Sequence, residues 1–85
     1  MKKVKKIAVI GASGGSGKRT VEALLQQDYK VTALSRKASQ VFGTEVRTVD
    51  GSALDKNILR EAIHGQDAVI ITLGISENPI RVRLV

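Results

Sequence analysis

The stretch Gly11-Ala12-Ser13-Gly14-Gly15-Ser16-Gly17 narrows the folds open to this chain more than any other. Before it lies Lys6-Ile7-Ala8-Val9-Ile10, a short apolar run that reads as a buried strand. After it, Val21, Leu24 and Leu25 fall on one face of a helix expected over Ser16 to Gln27, with polar residues opposite. The glycines therefore stand where a strand becomes a helix. Gly11 can take the backbone angles of a tight turn. Gly14 has no side chain to hold a phosphate away from the backbone, and Gly17 lets the helix approach the strand. Free N–H groups and the positive dipole end at the helix start suit an anion. Ser13 and Ser16 add hydroxyl donors, so the stretch reads as a pyrophosphate site.

The spacing is G-x-x-G-x-x-G, not the commonest dinucleotide fingerprint G-x-G-x-x-G. Such composition also occurs in flexible linkers, but the flanking strand and amphipathic helix favour a phosphate loop. A second reading starts at Ala12 and runs A-x-x-x-x-G-K-R, a relaxed P-loop for a nucleoside triphosphate with Lys18 on the terminal phosphates. Arg19 stands where that motif needs Ser or Thr for magnesium. Thr20 comes one position late, turned away by a helical step of about 100°.

A chain of 85 residues allows one domain. No cysteine is present, which excludes disulfides and thiolate metal sites and fits a reducing, cytoplasmic location. No apolar run reaches the length of a membrane span, and the N-terminal pattern does not match a signal peptide. The net charge of +6 raises nucleic acid as a partner, but Lys2, Lys3, Lys5 and Lys6 crowd one end and read as a solvated lead-in. Tyr29 and Phe42 are the only aromatic residues, so no base-stacking platform is available. A basic surface also suits a phosphate-rich small ligand.

Strands are expected over Val4 to Ile10, Lys30 to Ser35, Glu45 to Val49 and Ala68 to Leu73, with a second helix over Leu54 to Ile63. Arg36 to Gly43 is polar and irregular, with room for one helical turn. Alternating strands and helices give an α/β fold with a Rossmann-like parallel sheet in the order 3-2-1-4. Ligands bind such sheets at the C-terminal ends of the strands, onto which Gly11–Gly17 and Leu73-Gly74 both open. Residues 1–76 form this half-domain, and 77–85 a tail. Within that tail Ile80 to Val85 reads as extended tail or edge strand. An uncovered fourth-strand edge would pair with a second copy as a homodimer, unless the tail folds back over it.

The end of the second strand chooses the cofactor in a dinucleotide fold, because an acid there bonds the ribose 2′-hydroxyl of NAD. Here the place is held by Ser35-Arg36-Lys37, without a carboxylate. Arg36 can grip a phosphate through two parallel N–H bonds, Lys37 adds a point charge, and Ser35 or Ser39 a hydroxyl. The pattern points to the 2′-phosphate of NADP rather than to NAD.

The chain resembles the N-terminal half of an atypical short-chain dehydrogenase/reductase. It is most similar to the NAD(P)H-binding group that holds NmrA-like proteins and flavin reductase/biliverdin-IXβ reductase. The resemblance is carried by Lys6 to Gly17, Val31-Thr32-Ala33-Leu34-Ser35-Arg36, Gly65-Gln66-Asp67-Ala68-Val69-Ile70 and Leu73-Gly74. It implies that Gly11, Ser13, Gly14, Gly15 and Ser16 hold the pyrophosphate and that Arg36 holds the 2′-phosphate. It places Leu73 and Gly74 near the ribose on the nicotinamide side. The family's Gly-Asp pair at the adenine is here Asp50-Gly51-Ser52, so Asp50 or Ser52 takes that role. Asp28 replaces the glycine usual before the second strand, a change that concerns the turn.

The Tyr-x-x-x-Lys pair of short-chain dehydrogenases is not found, since Ala33 stands four residues after Tyr29. Tyr29 is expected to pack beside the first helix, and His64 to end the second. No catalytic residue or metal site is assigned. Two functions stay open: the cofactor half of an NADP-dependent reductase, catalytically incomplete alone, or a dinucleotide-binding redox sensor of the NmrA-like kind.

Overall fold

The computed structural model describes residues 5–11, 15–72 and 81–84, with backbone alone for Ser16 and 81–84. Strand and helix alternate: β1 (Lys6–Ile10), α1 (Gly15–Gln26), β2 (Lys30–Ser35), α2 (Ala38–Val41), β3 (Arg47–Asp50), α3 (Lys56–Ile63), β4 (Ala68–Ile71) and β5 (Arg81–Leu84). The sheet order is β3-β2-β1-β4-β5, so the expected 3-2-1-4 core is present with one strand added. β1 pairs in parallel with β2 and β4, and β2 with β3. Those four strands are joined by helical crossovers, as parallel pairing requires.

Side-chain alternation divides the core between the two faces of the sheet. On one face Ala8, Ile10, Leu34, Val49 and Val69 meet Ala62, Ile58, Leu59 and Ile63 of α3. On the other, Val9, Val31 and Ala33 meet Val21, Leu24 and Leu25 of α1, the stripe expected from its spacing. Tyr29 packs against the same clusters as Leu24 of α1, beside the first helix as expected.

The turn after α1 explains how Asp28 replaces a glycine. Asp28 lies at φ 66, the left-handed region. Its N–H donates to the Leu25 carbonyl (3.1 Å), and that of Tyr29 to the Leu24 carbonyl (3.1 Å). This pair of bonds is a Schellman motif, which closes a helix on a left-handed residue, and the residues at its two ends, Leu24 and Tyr29, pack against the same cluster of Ile7, Ala68 and Ile70. Aspartate tolerates the conformation at some cost in energy.

Two element starts differ from the sequence expectation. β3 begins at Arg47, not Glu45, because the Val46 N–H bonds the Gly43 carbonyl in a turn (3.3 Å) and ladder pairing starts at Thr32–Arg47. α3 begins at Lys56, not Leu54. Asp55 is its N-cap, in extended conformation, and its carboxylate accepts from the N–H groups of Asn57 (2.9 Å) and Ile58 (3.3 Å). Leu54 is thereby left outside the helix and 91% exposed rather than on its apolar face.

β5 decides between the two readings of the C-terminal segment. It runs antiparallel to β4, with Ala68 opposite Leu84 and Ile71 opposite Arg81. The tail supplies an edge strand and β4 becomes interior, the outcome in which the tail covers the fourth-strand edge.

Candidate functional site

At the C-terminal end of β1 the backbone turns sharply. Gly11 has φ 82, as its role in a tight turn requires, and its N–H donates to the Leu34 carbonyl (2.8 Å). Thr72, at the end of β4 and 3% exposed, holds the same turn from the other side. Its hydroxyl is within bonding distance of the Ile10 (3.1 Å) and Gly11 (3.0 Å) carbonyls, and its N–H donates to Ile10 (2.8 Å). α1 then starts at Gly15, with Gly17 buried in its first turn. Lys18 and Arg19 are both exposed on α1, and Arg19 leaves the magnesium position of a P-loop without its hydroxyl. Ser13, Gly14, Leu73 and Gly74 lie outside the described residues, as does the Ser16 hydroxyl.

Beside this turn is a cleft of about 290 Å³, lined by Gly11, Leu34, Ser35, Arg36 and the segment from Gly51 to Leu54. It sits where β1, β2 and β3 end, at the small end of ligand-pocket volumes, about 300–1,000 Å³. Four residues singled out from the sequence meet there: Gly11, Ser35, Arg36 and Ser52. Arg36 is exposed, while Ser35 is buried and its hydroxyl oxygen accepts from the Lys37 N–H (3.3 Å). Ser52 accepts from the Leu54 N–H (3.1 Å), which shapes the turn into α3.

Lys37 and Asp50 are not part of that lining. Asp50 ends β3 directly opposite Ser35 but faces α2. Its carboxylate accepts from the Ser39 N–H (2.8 Å) and from the Ser39 hydroxyl. The Ser39 hydroxyl first, then its amide, holds this carboxyl below its usual range. Among the described residues the cleft is thus lined without a carboxylate, and Asp50 is engaged by Ser39 instead. Of the two candidates for the adenine end, Ser52 reaches the cleft and Asp50 does not.

Sequence reasoning assigned no role to Thr72 or Gly51. Thr72 looked like one more member of an apolar strand; a hydroxyl at the end of such a run was its only signal. Among the described residues no group of three or more His, Asp or Glu side chains is placed to hold a metal ion. Nor is any described helix long and apolar enough to cross a membrane.

Residues 11–84 match a family described as NAD(P)H-binding. Oxidoreductase aflX of Aspergillus parasiticus is 30% identical over 84 residues, covering 88% of this chain and 32% of that protein. A Rossmann-fold NAD(P)-binding family protein from Shigella flexneri superimposes with TM-score 0.72 at 24% identity, over 88% of this chain and 40% of that one. A wide-type short-chain dehydrogenase/reductase from Veillonella parvula, solved in complex with NADP, gives TM-score 0.74 at 21% identity, over 81% and 35%. The last two likenesses establish the fold, and the chain spans about a third of the aflX oxidoreductase. With the matched residues running from the glycine turn to the last strand, the chain belongs to the NAD(P)H-binding family.

Proposed function

We propose that this chain holds the cofactor for an NADP(H)-dependent oxidoreductase and binds NADP(H) more tightly than NAD(H). The observation that carries the preference is the cleft at the end of β2, which among the described residues contains Arg36 and no carboxylate. Arg36 pairs with the ribose 2′-phosphate through its forked N–H groups, and Lys37 adds positive charge nearby. The turn at Gly11, with Ser13, Gly14, Gly15, Ser16 and Gly17, cradles the pyrophosphate at the α1 N-terminus. Ser52 takes the adenine end. Leu73 and Gly74, next in sequence after Thr72, are assigned to the nicotinamide ribose. The residues present suit the group: a left-handed glycine at the turn, an exposed guanidinium, and a lining without like charge to a phosphate. NADPH, when bound, supplies a hydride; these residues bind and orient it. The lack of cysteine agrees with a cytoplasmic location.

Titration with NADPH, NADH and ATP tests the reading. Arg36→Ala should weaken NADPH by about 1.5–3 kcal/mol, the scale of a hydrogen bond to a charged group, and leave NADH nearly unchanged. Equal losses for both dinucleotides would mean that Arg36 does not read the 2′-phosphate. Magnesium-dependent ATP binding lost in Lys18→Ala would favour the P-loop instead.

A further inference from the structure

The lining of the cofactor cleft divides by what each part can touch. On the reading above, Gly11 belongs to the pyrophosphate turn and Arg36 to the 2′-phosphate. Leu34 and Ser35 are buried, and the Ser35 oxygen already accepts from the Lys37 N–H. What remains for the purine base is the segment Gly51, Ser52, Ala53 and Leu54.

The first feature of that segment is Leu54, large and apolar yet 91% exposed. Its place is fixed from both sides. Its N–H donates to the Ser52 hydroxyl (3.1 Å), and Asp55, the next residue, caps α3. A lone leucine on an open surface needs no explanation, but this one lines a ligand cleft. A base laid against it covers apolar area that the fold leaves in water. Any purine face offers that contact, whatever its substituents.

The second feature is a shortage of fixed acceptors. A 6-amino group is a donor, so selecting adenine takes a group that accepts and cannot donate, such as a carboxylate or a carbonyl. Among the described residues the lining holds no carboxylate and no side-chain amide. Three of its carbonyls are engaged: Leu34 accepts from the Gly11 N–H (2.8 Å), Ser35 from Gly51 (3.0 Å) and Ser52 from Asp55 (3.1 Å). Arg36 only donates. That leaves the Ser52 hydroxyl, whose oxygen accepts from Leu54 and keeps a second lone pair and a hydrogen that rotates. Such a group accepts from an amino substituent or donates to an oxo substituent equally well.

We propose that the base end of the cleft recognises the purine ring and not its 6-substituent, so that a dinucleotide with hypoxanthine in place of adenine binds about as tightly as NADPH. The inference rests on the cofactor reading above and adds the class of base to it. Leu54 supplies the contact area and Ser52 the adaptable hydrogen bond. Strong rejection of a near-isosteric base needs a site whose polar group would be left unpaired, and neither residue provides one.

The test is a titration of the chain with NADPH and with reduced nicotinamide hypoxanthine dinucleotide phosphate, followed by nicotinamide fluorescence. The two ligands differ only in the base, so the contributions of Arg36 and the glycine turn cancel in the ratio of their dissociation constants. That ratio should lie within about fivefold, the scale of one ordinary hydrogen bond. Ser52→Asp keeps an oxygen for the Leu54 N–H but offers acceptors alone, and should move the ratio toward NADPH by about tenfold or more. Leu54→Ser should weaken both ligands equally, by about three- to tenfold, the scale of covering part of a leucine side chain. Its melting temperature should stay within about 4 °C of the native value, because the side chain is exposed. A native preference for NADPH beyond about fivefold overturns the proposal. So does a ratio that Ser52→Asp leaves unchanged, or full affinity in Leu54→Ser. If these arms fail while Arg36→Ala still separates NADPH from NADH, the cofactor reading stands without this inference. If neither dinucleotide binds the native chain, both fall.

Discussion

Gly51→Ala combines two separable penalties at the edge of the cofactor cleft. Gly51 follows β3 with φ 155, a conformation that side chains rarely adopt, and such strain costs about 1–3 kcal/mol. A Cβ there would also stand 2.9 Å from Ile58 Cγ2, 3.2 Å from Cγ1 and 3.3 Å from Cδ1. Carbon atoms prefer about 3.5–4.0 Å. Ile58 has little freedom to swing clear, because both branches leave its own Cβ and a turn of about 120° in χ1 that removes one branch brings the other into its place or leaves it facing Gly51. Relief must come from moving α3 against the end of β3, an overpacking cost of about 1–3 kcal/mol. The sum, about 2–6 kcal/mol, is a large part of the roughly 4–13 kcal/mol expected for a domain of this size. Even the lower figure lowers the melting temperature by about 8–16 °C. Urea unfolding followed by circular dichroism measures the loss. In an Ile58→Ala background the overlap is gone and only the strain remains, so Gly51→Ala should then cost about 1–3 kcal/mol. A loss below about 0.5 kcal/mol in the native background would refute the argument, since that is the range of an ordinary surface change. Equal losses in both backgrounds would refute its packing half.

Asp28→Gly should stabilise the chain by about 0.5–1 kcal/mol, because glycine meets no Cβ penalty at φ 66 but loses more entropy on folding; unchanged or lower stability in urea would show that aspartate is not strained there. Thr72→Val keeps the shape and leaves the Gly11 carbonyl without its hydroxyl donor, for a loss of about 1–3 kcal/mol and weaker NADPH binding; calorimetry reads both. Ser39→Ala should let the Asp50 pKa rise toward its ordinary value, measured from its carboxyl ¹³C shift. A folded pKa held below the unfolded one contributes stability above the unfolded value, about pH 4, and loses it as the pH falls through the folded value. The stability gap between the native chain and Ser39→Ala should therefore be present at neutral pH and close below that point; a gap constant with pH would assign it to something other than the Asp50 charge.

The parallel core was legible because its signals are local and redundant. Ile7 to Ile10, Val31 to Leu34 and Ala68 to Ile71 are apolar runs bounded by turn residues, and crossover handedness leaves few orders for them. The starts of β3 and α3 were not, because each depends on one hydrogen bond that competes with the regular pattern. Val46 is apolar enough for a strand, yet its N–H goes to Gly43. Leu54 has the right spacing for the α3 face, yet Asp55 caps the helix behind it. β5 was left as one of two choices because Ile80 to Val85 alternates apolar and basic residues, which fits a half-covered edge strand and a solvated tail equally well.

The same distinction separates the two halves of the candidate site. The Gly11 turn and the place of Arg36 at the cleft were readable because each rests on local pattern: a glycine that takes a left-handed backbone, and a basic residue directly after the second strand. Asp50 was ambiguous because its role depends on where its carboxylate points. The strand register sets it opposite Ser35 at the end of β2. What turns it aside is Ser39, eleven residues earlier, brought over β3 by the single turn of α2. A segment that looked irregular in sequence thus holds the Asp50 carboxylate toward α2, away from the residues that line the cleft.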